Sequence, residues 1–120
     1  MTKKLLLMTL LFAGLFASAR NKIIIHQGGE LPTHHEFPAP ADEPDVYYDD
    51  DDQEIIIDGT GYVTYYDVEI TSTTSWTVYV STQVNGSYDT IDVSSLPQGE
   101  YVITIDSPTG NSFEGFFETN

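Results

Sequence analysis

The sequence predicts an all-β domain in which two antiparallel sheets pack face to face. Short segments of the chain alternate apolar and polar residues with a period of two, which is typical of strands with one buried face. Turn signals containing Gly, Pro or Asn separate these segments at a spacing of about ten residues, as in two-sheet sandwiches. No segment shows helical periodicity, which argues against a helical bundle or an α/β fold.

One corner of the chain specifies the kind of sandwich. Residues 96–101 (LPQGEY) run directly into the alternating segment 102–105 (VITI). In an immunoglobulin-like sandwich, a Tyr placed like Tyr101 enters the core with its ring while its hydroxyl bonds to upstream backbone. We therefore expect an antiparallel immunoglobulin-like sandwich of about seven strands, with structural roles for Leu96, Gly99 and Tyr101.

The first residues predict a targeting signal. Lys3 and Lys4 precede an apolar run at 5–16, and residues 17–19 (ASA) form a small-x-small site of the kind that signal peptidases read. We expect a signal peptide at 1–19 and therefore an exported protein. No later segment approaches the roughly twenty apolar residues of a membrane helix, so no membrane span is expected.

Residues 20–45 are expected to hold a first strand and a loose strap. The β-branched run at 22–26 (KIIIH) predicts the strand. Four prolines lie between residues 27 and 44, so this part is expected to run as an extended strap along the edge of the domain. The regular part of the sandwich is then expected at 46–120.

The strands of the regular part can be assigned in order. Apolar runs and alternating segments predict strands at 46–48, 55–57, 66–70, 76–80, 91–93, 101–105 and 113–117. In this assignment Trp76 lies on a central strand and is buried, as the tryptophan of immunoglobulin domains is. Asn85 and Gly86 form the strongest short hairpin signal, because both residues tolerate positive φ.

The charge of the chain is strongly acidic and excludes one class of partner. The chain has four basic and 19 acidic residues, and its net charge is −15. After cleavage only Arg20 and Lys22 remain basic, which gives −17. Nucleic acid is excluded, since binding it depends on Lys and Arg that displace its counterions. We expect a monomeric or weakly associating domain that salt stabilises, because its carboxylates repel one another.

A run of four aspartates lies between two predicted strands: Asp49, Asp50, Asp51 and Asp52. The run is a candidate calcium site, because calcium prefers several carboxylate oxygens. It lacks the glycine of a helix-loop-helix calcium loop, so a solvated loop without a bound ion is the alternative. No other cofactor is expected. Catalysis is not expected either, because no His lies in the strand-rich part to activate a Ser or Thr.

The outer face of one sheet carries the candidate binding surface. The residues that alternation points outward from neighbouring strands are Tyr79, Val102 and Phe116. Exposed aromatic and apolar side chains in a row can bind a sugar ring or a partner protein. The same residues can instead stabilise the sheet as cross-strand pairs without any ligand. The predicted function is an exported, non-catalytic binding or adhesion module whose partner is a protein or glycan at the cell surface.

Five motifs occur in one order along the chain: EIII at 54–57, VEI at 68–70, IDV at 91–93, LPQGEY at 96–101 and FEGFF at 113–117. In this order they resemble domain-of-unknown-function family 3244, which consists of small exported Bacteroidetes proteins with an immunoglobulin-like sandwich. The resemblance implies this fold and a bacterial protein that is periplasmic, secreted or at the cell surface. It implies no activity and no site residue. The C-terminal third is also similar to the sorting domains of the same bacteria, which carry a like Leu-Pro-x-Gly-x-Tyr corner. That similarity implies the alternative function, a structural or sorting module recognised by export machinery.

Overall fold

The computed structural model describes residues 20–23, 25–27 and 39–120, and this part of the chain forms strands and no helix. The strands are β1 (Arg20–Ile23), β2 (His26–Gln27), β3 (Asp45–Asp49), β4 (Glu54–Asp58), β5 (Tyr65–Ser72), β6 (Val78–Asn85), β7 (Tyr88–Asp92), β8 (Gly99–Asp106) and β9 (Ser112–Thr119). The predicted signal peptide and most of the predicted strap lie outside the described residues. Among the described residues there is no helix long and apolar enough to cross a membrane.

The strands form two antiparallel sheets, which confirms the predicted fold class. One sheet has the strand order β1-β3-β4-β7, and the other has the order β2-β9-β8-β5-β6. The described residues therefore form nine strands, more than the expected seven. The single strand predicted at 22–26 is wrong, because these residues divide between β1, which pairs with β3, and β2, which pairs with β9 in the other sheet.

The core lies between the two sheets and contains the apolar alternates that the sequence predicted for β4, β5, β7, β8 and β9. Its residues from β4 onward include Ile55, Ile57, Tyr66, Val68, Ile70, Ile91, Val93, Tyr101, Ile103, Ile105, Phe113 and Phe117. Full burial of one such side chain stabilises a fold by about 1.5 to 3 kcal/mol, so these positions dominate the favourable side of the folding free energy.

The predicted corner is confirmed by the contacts of Tyr101. Its hydroxyl donates a 2.5 Å hydrogen bond to the carbonyl oxygen of Pro97. Its ring is buried and stacks on Phe117, with the ring centroids 5.5 Å apart. Leu96 packs against the core and Gly99 begins β8. The corner therefore closes one end of the sandwich in the way the local sequence indicates.

The expectation that Trp76 is buried on a central strand is wrong. Its side chain is 70% exposed, and the residue lies in the turn between β5 and β6. Its φ of 55° is left-handed, and its N–H donates a 2.8 Å hydrogen bond to the carbonyl oxygen of Ser72. The aromatic residues buried on the interior strands of the five-stranded sheet are instead Tyr66 on β5, Tyr101 on β8, and Phe113 and Phe117 on β9. The alternation assigned to 76–80 assumed a regular strand, whereas the polar residues just before it form a turn.

The predicted hairpin at Asn85 and Gly86 is also wrong, because β6 and β7 belong to different sheets. The chain crosses between the sheets here through close backbone contacts that only glycine permits. A Cβ on Gly86 would lie 2.0 Å from the carbonyl oxygen of Val63, and one on Gly59 would lie 1.9 Å from that of Gly86. The Gly86 N–H donates a 3.0 Å hydrogen bond to the carbonyl oxygen of Thr64.

The buried carboxylate of Asp42, which the sequence did not single out, joins the segment before β3 to the turn between β8 and β9. Asp42 is 2% exposed, and its carboxylate accepts hydrogen bonds from Thr109 Oγ1 (2.5 Å) and Asn111 Nδ2 (3.0 Å). Its carbonyl oxygen accepts a 2.6 Å hydrogen bond from the Tyr66 hydroxyl. Burial acts to raise the pKa of Asp42, but hydrogen bonds from Ser107, Thr109 and Asn111 outweigh it and hold the pKa below its ordinary value.

Candidate functional site

A row of side chains crosses four strands on the outer face of the five-stranded sheet. The strand register places Phe116 beside Val102, Val102 beside Thr71, and Thr71 beside Val78. The alternate residues of β8 and β9 are in the core, so this row faces away from it. Phe116 and Val78, at its two ends, are 54% and 50% exposed, whereas Val102 is 8% exposed. We call these four residues the apolar row. It brings Val102 and Phe116 together, as the sequence predicted.

Tyr79 is 45% exposed, as predicted, but a bulge in β6 takes it out of the regular ladder. Ile70 on β5 is opposite Val80, but the next residue of β5 is opposite Val78. Tyr79 is therefore an extra residue in the ladder, and a bulge of this kind changes the direction of the side chain. Its ring contacts the buried ring of Tyr101 edge-on, with the centroids 5.8 Å apart. Val78 takes the place in the row that alternation had given to Tyr79.

Acidic side chains flank the apolar row on both sides. On one side, the neighbouring row carries Glu69 on β5 and Glu114 on β9. On the other side, Glu100 on β8 is directly opposite Glu118 on β9. His26 Nε2 lies 3.8 Å from Glu114 Oε1, and no Lys or Arg occurs in the described strands of this sheet. The row is therefore an apolar stripe in an electronegative surface.

Trp76 lies two residues before Val78, in the turn at the end of the sheet where the apolar row lies. A left-handed backbone costs a residue other than glycine about 1 to 2 kcal/mol. Core packing does not explain a large aromatic side chain that is mostly in water and held in a disfavoured conformation. Such strain is typical of functional positions. The Ser- and Thr-rich run at 71–75, which is typical of a turn, is the sequence signal that could have placed Trp76 correctly.

The predicted calcium ligands lie in a turn and have different partners. Asp49 Oδ1 accepts hydrogen bonds from the backbone N–H groups of Asp51 (3.1 Å) and Asp52 (3.2 Å). Asp50 Oδ1 accepts a 3.3 Å hydrogen bond from the hydroxyl of Tyr48. The aspartates therefore form a turn that the carboxylate of Asp49 stabilises through these backbone hydrogen bonds.

Three carboxylates lie close together at this turn. One oxygen each of Asp49, Asp52 and Glu54 lies within 4.8 Å of the others. Two of the four predicted aspartates thus belong to this group, and Glu54 on β4 joins them. Desolvation and the charges of the neighbouring aspartates raise the pKa of Asp51. The concentration of negative charge attracts cations in general, and specific calcium binding stays a prediction.

The two sheets and the tyrosine corner define an immunoglobulin-like β-sandwich module. The chain has the fold of a DUF3244 family protein from Bacteroides vulgatus, whose crystal structure is immunoglobulin-like. The two chains are 14% identical and superpose with a TM-score of 0.65 over 84% of this chain and 99% of the other. This is the fold that the sequence resemblance implied. The sequence itself matches no family model and no curated protein.

Proposed function

We propose that the protein is an exported, non-catalytic binding module that holds a protein partner against the outer face of its five-stranded sheet. The observation that carries this proposal is the exposure of Val78 and Phe116 on this face and of Trp76 in the adjoining turn. Contiguous apolar side chains rimmed by polar ones are typical of interaction surfaces. Immunoglobulin-like sandwiches occur in many cell-surface proteins, so the fold supports this use.

The charge around the apolar row selects the kind of partner. Glutamates on both sides of the row favour a partner that presents Lys or Arg beside an apolar or aromatic side chain. A basic protein segment offers both groups. A neutral sugar ring can stack on an aromatic side chain but gains little from the acidic rim. We therefore propose a basic protein segment as the occupant of the row.

A purely structural role explains part of the surface but not all of it. Val102 is nearly buried between its neighbours, as expected of a side chain that stabilises the sheet through cross-strand pairs. Trp76 and Val78 are at least half exposed, so they contribute much less to the sheet itself. In the proposed module Val102 stabilises the sheet beneath the partner, and Trp76, Val78 and Phe116 contact the partner.

A random peptide display library, with the purified chain as bait, tests the proposal. We expect enrichment of peptides with Lys or Arg next to an aromatic or large aliphatic residue, and binding that weakens as salt is added. Trp76→Ala, and the double change Val78→Ser with Phe116→Ser, should each weaken binding at least about tenfold.

Tyr62→Ala and Tyr88→Ala are matched controls, because both tyrosines are more than half exposed and neither belongs to the apolar row. Both controls should bind as the unchanged chain does, and circular dichroism should show that every variant is folded. Equal losses in the controls, or enriched peptides without basic residues, would contradict the proposal. Binding on a glycan array that requires Trp76 would replace the protein partner with a glycan.

The alternative function is a structural or sorting module recognised by export machinery. Its support is the corner at 96–101, which the sequence shares with sorting domains and which the structure forms. In that case export of the chain should depend on β9 and should be unaffected by Trp76→Ala. The two functions are therefore separable by measuring export and peptide binding in the same variants.

A further inference from the structure

β6 is an edge strand of the five-stranded sheet. β5 lies on one side of it, and no strand in the described part of the chain lies on the other. It is eight residues long, and most of its residues are exposed. Backbone N–H and C=O groups on the free side of such a strand are ready to pair with another strand.

β6 is less protected than the other sheet edges. β2 covers β9 only at Phe113 and Glu114, but the uncovered part of β9 carries the charge of Glu118. β1, β2 and β7 are only four, two and five residues long. β1 carries Arg20 and Lys22, and β7 carries Asp89 and Asp92. Natural proteins use short length, charge, proline and bulges to prevent pairing at an edge. β6 (VYVSTQVN) has neither charge nor proline, and its bulge lies at one end, which leaves 80–84 regular.

The lack of charge extends beyond β6 on both sides. Every residue from 70 to 88 is uncharged, in a chain with 19 acidic residues and a net charge of −15. Two copies of so acidic a protein repel each other over most of their surfaces. Two copies can approach each other with least repulsion at this edge. A basic partner would gain the least electrostatic attraction there. The charge distribution therefore favours a second copy of the chain as the occupant.

We infer that two copies of the chain pair reversibly through antiparallel β6 strands, about a two-fold axis at Thr82. In this register Thr82 lies opposite its own counterpart. The flanking pairs are Val80 with Val84 and Ser81 with Gln83. β-Branched and Thr–Thr pairs of this kind stabilise antiparallel strands, and a two-fold pairing of one strand with itself is self-complementary. The five-stranded sheets of the two copies then form one continuous sheet.

This pairing is independent of the proposed function. The apolar row meets β6 only at Val78, which lies beyond the bulge and outside the paired segment 80–84. Phe116 is three strands away from β6 in the strand order. Loss of peptide binding therefore says nothing against self-pairing, and loss of self-pairing says nothing against the apolar row.

Sedimentation velocity of the purified chain over a concentration series tests the inference. We expect a reversible monomer–dimer equilibrium that added salt strengthens, because salt screens the repulsion between the copies. Thr82→Lys should weaken the dimer at least about tenfold, because it places two like charges opposite each other at the axis. Thr90→Lys is the matched control, since it changes the net charge equally at an exposed position on β7. The control should leave the dimer unchanged or strengthen it.

Cysteine substitution locates the axis, because the chain has no cysteine of its own. Directly opposed residues of antiparallel strands have Cβ atoms about 4.5 to 5.5 Å apart, so Thr82→Cys should give a disulfide-linked dimer under mild oxidation. Thr90→Cys should not. The inference is overturned if the chain stays monomeric at all concentrations and salt levels. Equal behaviour of the two lysine variants, or of the two cysteine variants, overturns it as well.

Discussion

Asp42 is a residue whose ionisation is coupled to folding. Asp42→Asn keeps the size of the side chain but removes the charge that accepts hydrogen bonds from Thr109 and Asn111. We expect the free energy of unfolding at neutral pH to fall by about 1 to 3 kcal/mol. Urea denaturation followed by circular dichroism measures the change. Asp58→Asn, at an exposed position on β4, is the control and should change the stability by less than about 0.5 kcal/mol.

The pH dependence of this effect has a definite sign. The pKa of Asp42 is lowered in the folded protein, so ionised Asp42 stabilises the fold at neutral pH. The contribution is complete above the pKa of about 3.9 of an unfolded aspartate and is lost as pH falls through the lower folded pKa. The difference between the unchanged chain and Asp42→Asn should therefore shrink in acid. A difference that is the same at all pH values would contradict this assignment.

Residues whose roles depend on near neighbours could be predicted from the sequence, and others could not. The hydroxyl of Tyr101 bonds to Pro97, four residues earlier, so a local motif reveals it. The carboxylate of Asp42 bonds to residues 67 and 69 positions away, and no local pattern records such a contact. Analogy with other sandwiches predicts that Trp76 is buried, but it is exposed. The Ser- and Thr-rich run at 71–75 predicts a turn just before it.

At the scale of elements, alternation predicted which segments form the later strands but not their phase after an irregularity. A period of two holds only while the ladder is regular, and the bulge in β6 adds one residue. Because of this extra residue, Val78 and not Tyr79 is opposite Thr71 in the row that contains Val102 and Phe116. The turn signal at Asn85 and Gly86 does not reveal which sheet the next strand joins, so it does not predict the crossing between the sheets.

The crossing between β6 and β7 should be intolerant of any side chain. Gly86→Ala places a methyl group into the backbone at Val63, which cannot move as a flexible side chain could. We expect a loss of about 3 kcal/mol in the free energy of unfolding, at the upper end of the range for overpacking. Thermal and urea denaturation of the purified variant measure the loss.

Gly110→Ala separates steric overlap from backbone strain. Gly110 has a φ of 96°, but no atom lies within 4 Å of a Cβ added there. Its replacement should therefore cost only the strain of a left-handed backbone, about 1 to 2 kcal/mol. A loss for Gly86→Ala no larger than that for Gly110→Ala would show that the crossing can relax around a methyl group.

At the scale of the whole molecule, the net charge of −15 acts against the folded state. The described residues contain few opposing charges, with Lys22 Nζ 3.1 Å from Asp45 Oδ1 in an exposed pair. We expect the melting temperature to rise by at least about 4 °C between low salt and about 0.3 M NaCl. This corresponds to about 1 kcal/mol in a domain of this size.

Two experiments test whether repulsion between carboxylates causes this salt effect. Asp51→Asn removes a carboxyl group whose pKa is raised by desolvation and by the charges of the neighbouring aspartates. It should therefore raise the melting temperature at low salt and reduce the dependence on salt. Calcium chloride at matched ionic strength should act as sodium chloride does if screening alone is responsible. An additional rise with calcium would support a specific site at Asp49, Asp52 and Glu54. A melting temperature independent of salt would contradict the repulsion itself.

The exposed position of Trp76 decides how this protein can be followed by spectroscopy. It is the only tryptophan of the chain, and its indole is already largely hydrated in the native state. Intrinsic fluorescence should therefore change little when the chain unfolds, while the buried rings of Tyr48, Tyr66 and Tyr101 should dominate the near-ultraviolet dichroism that is lost. The emission of this protein is then a reporter of what touches its surface, and a poor reporter of its folding.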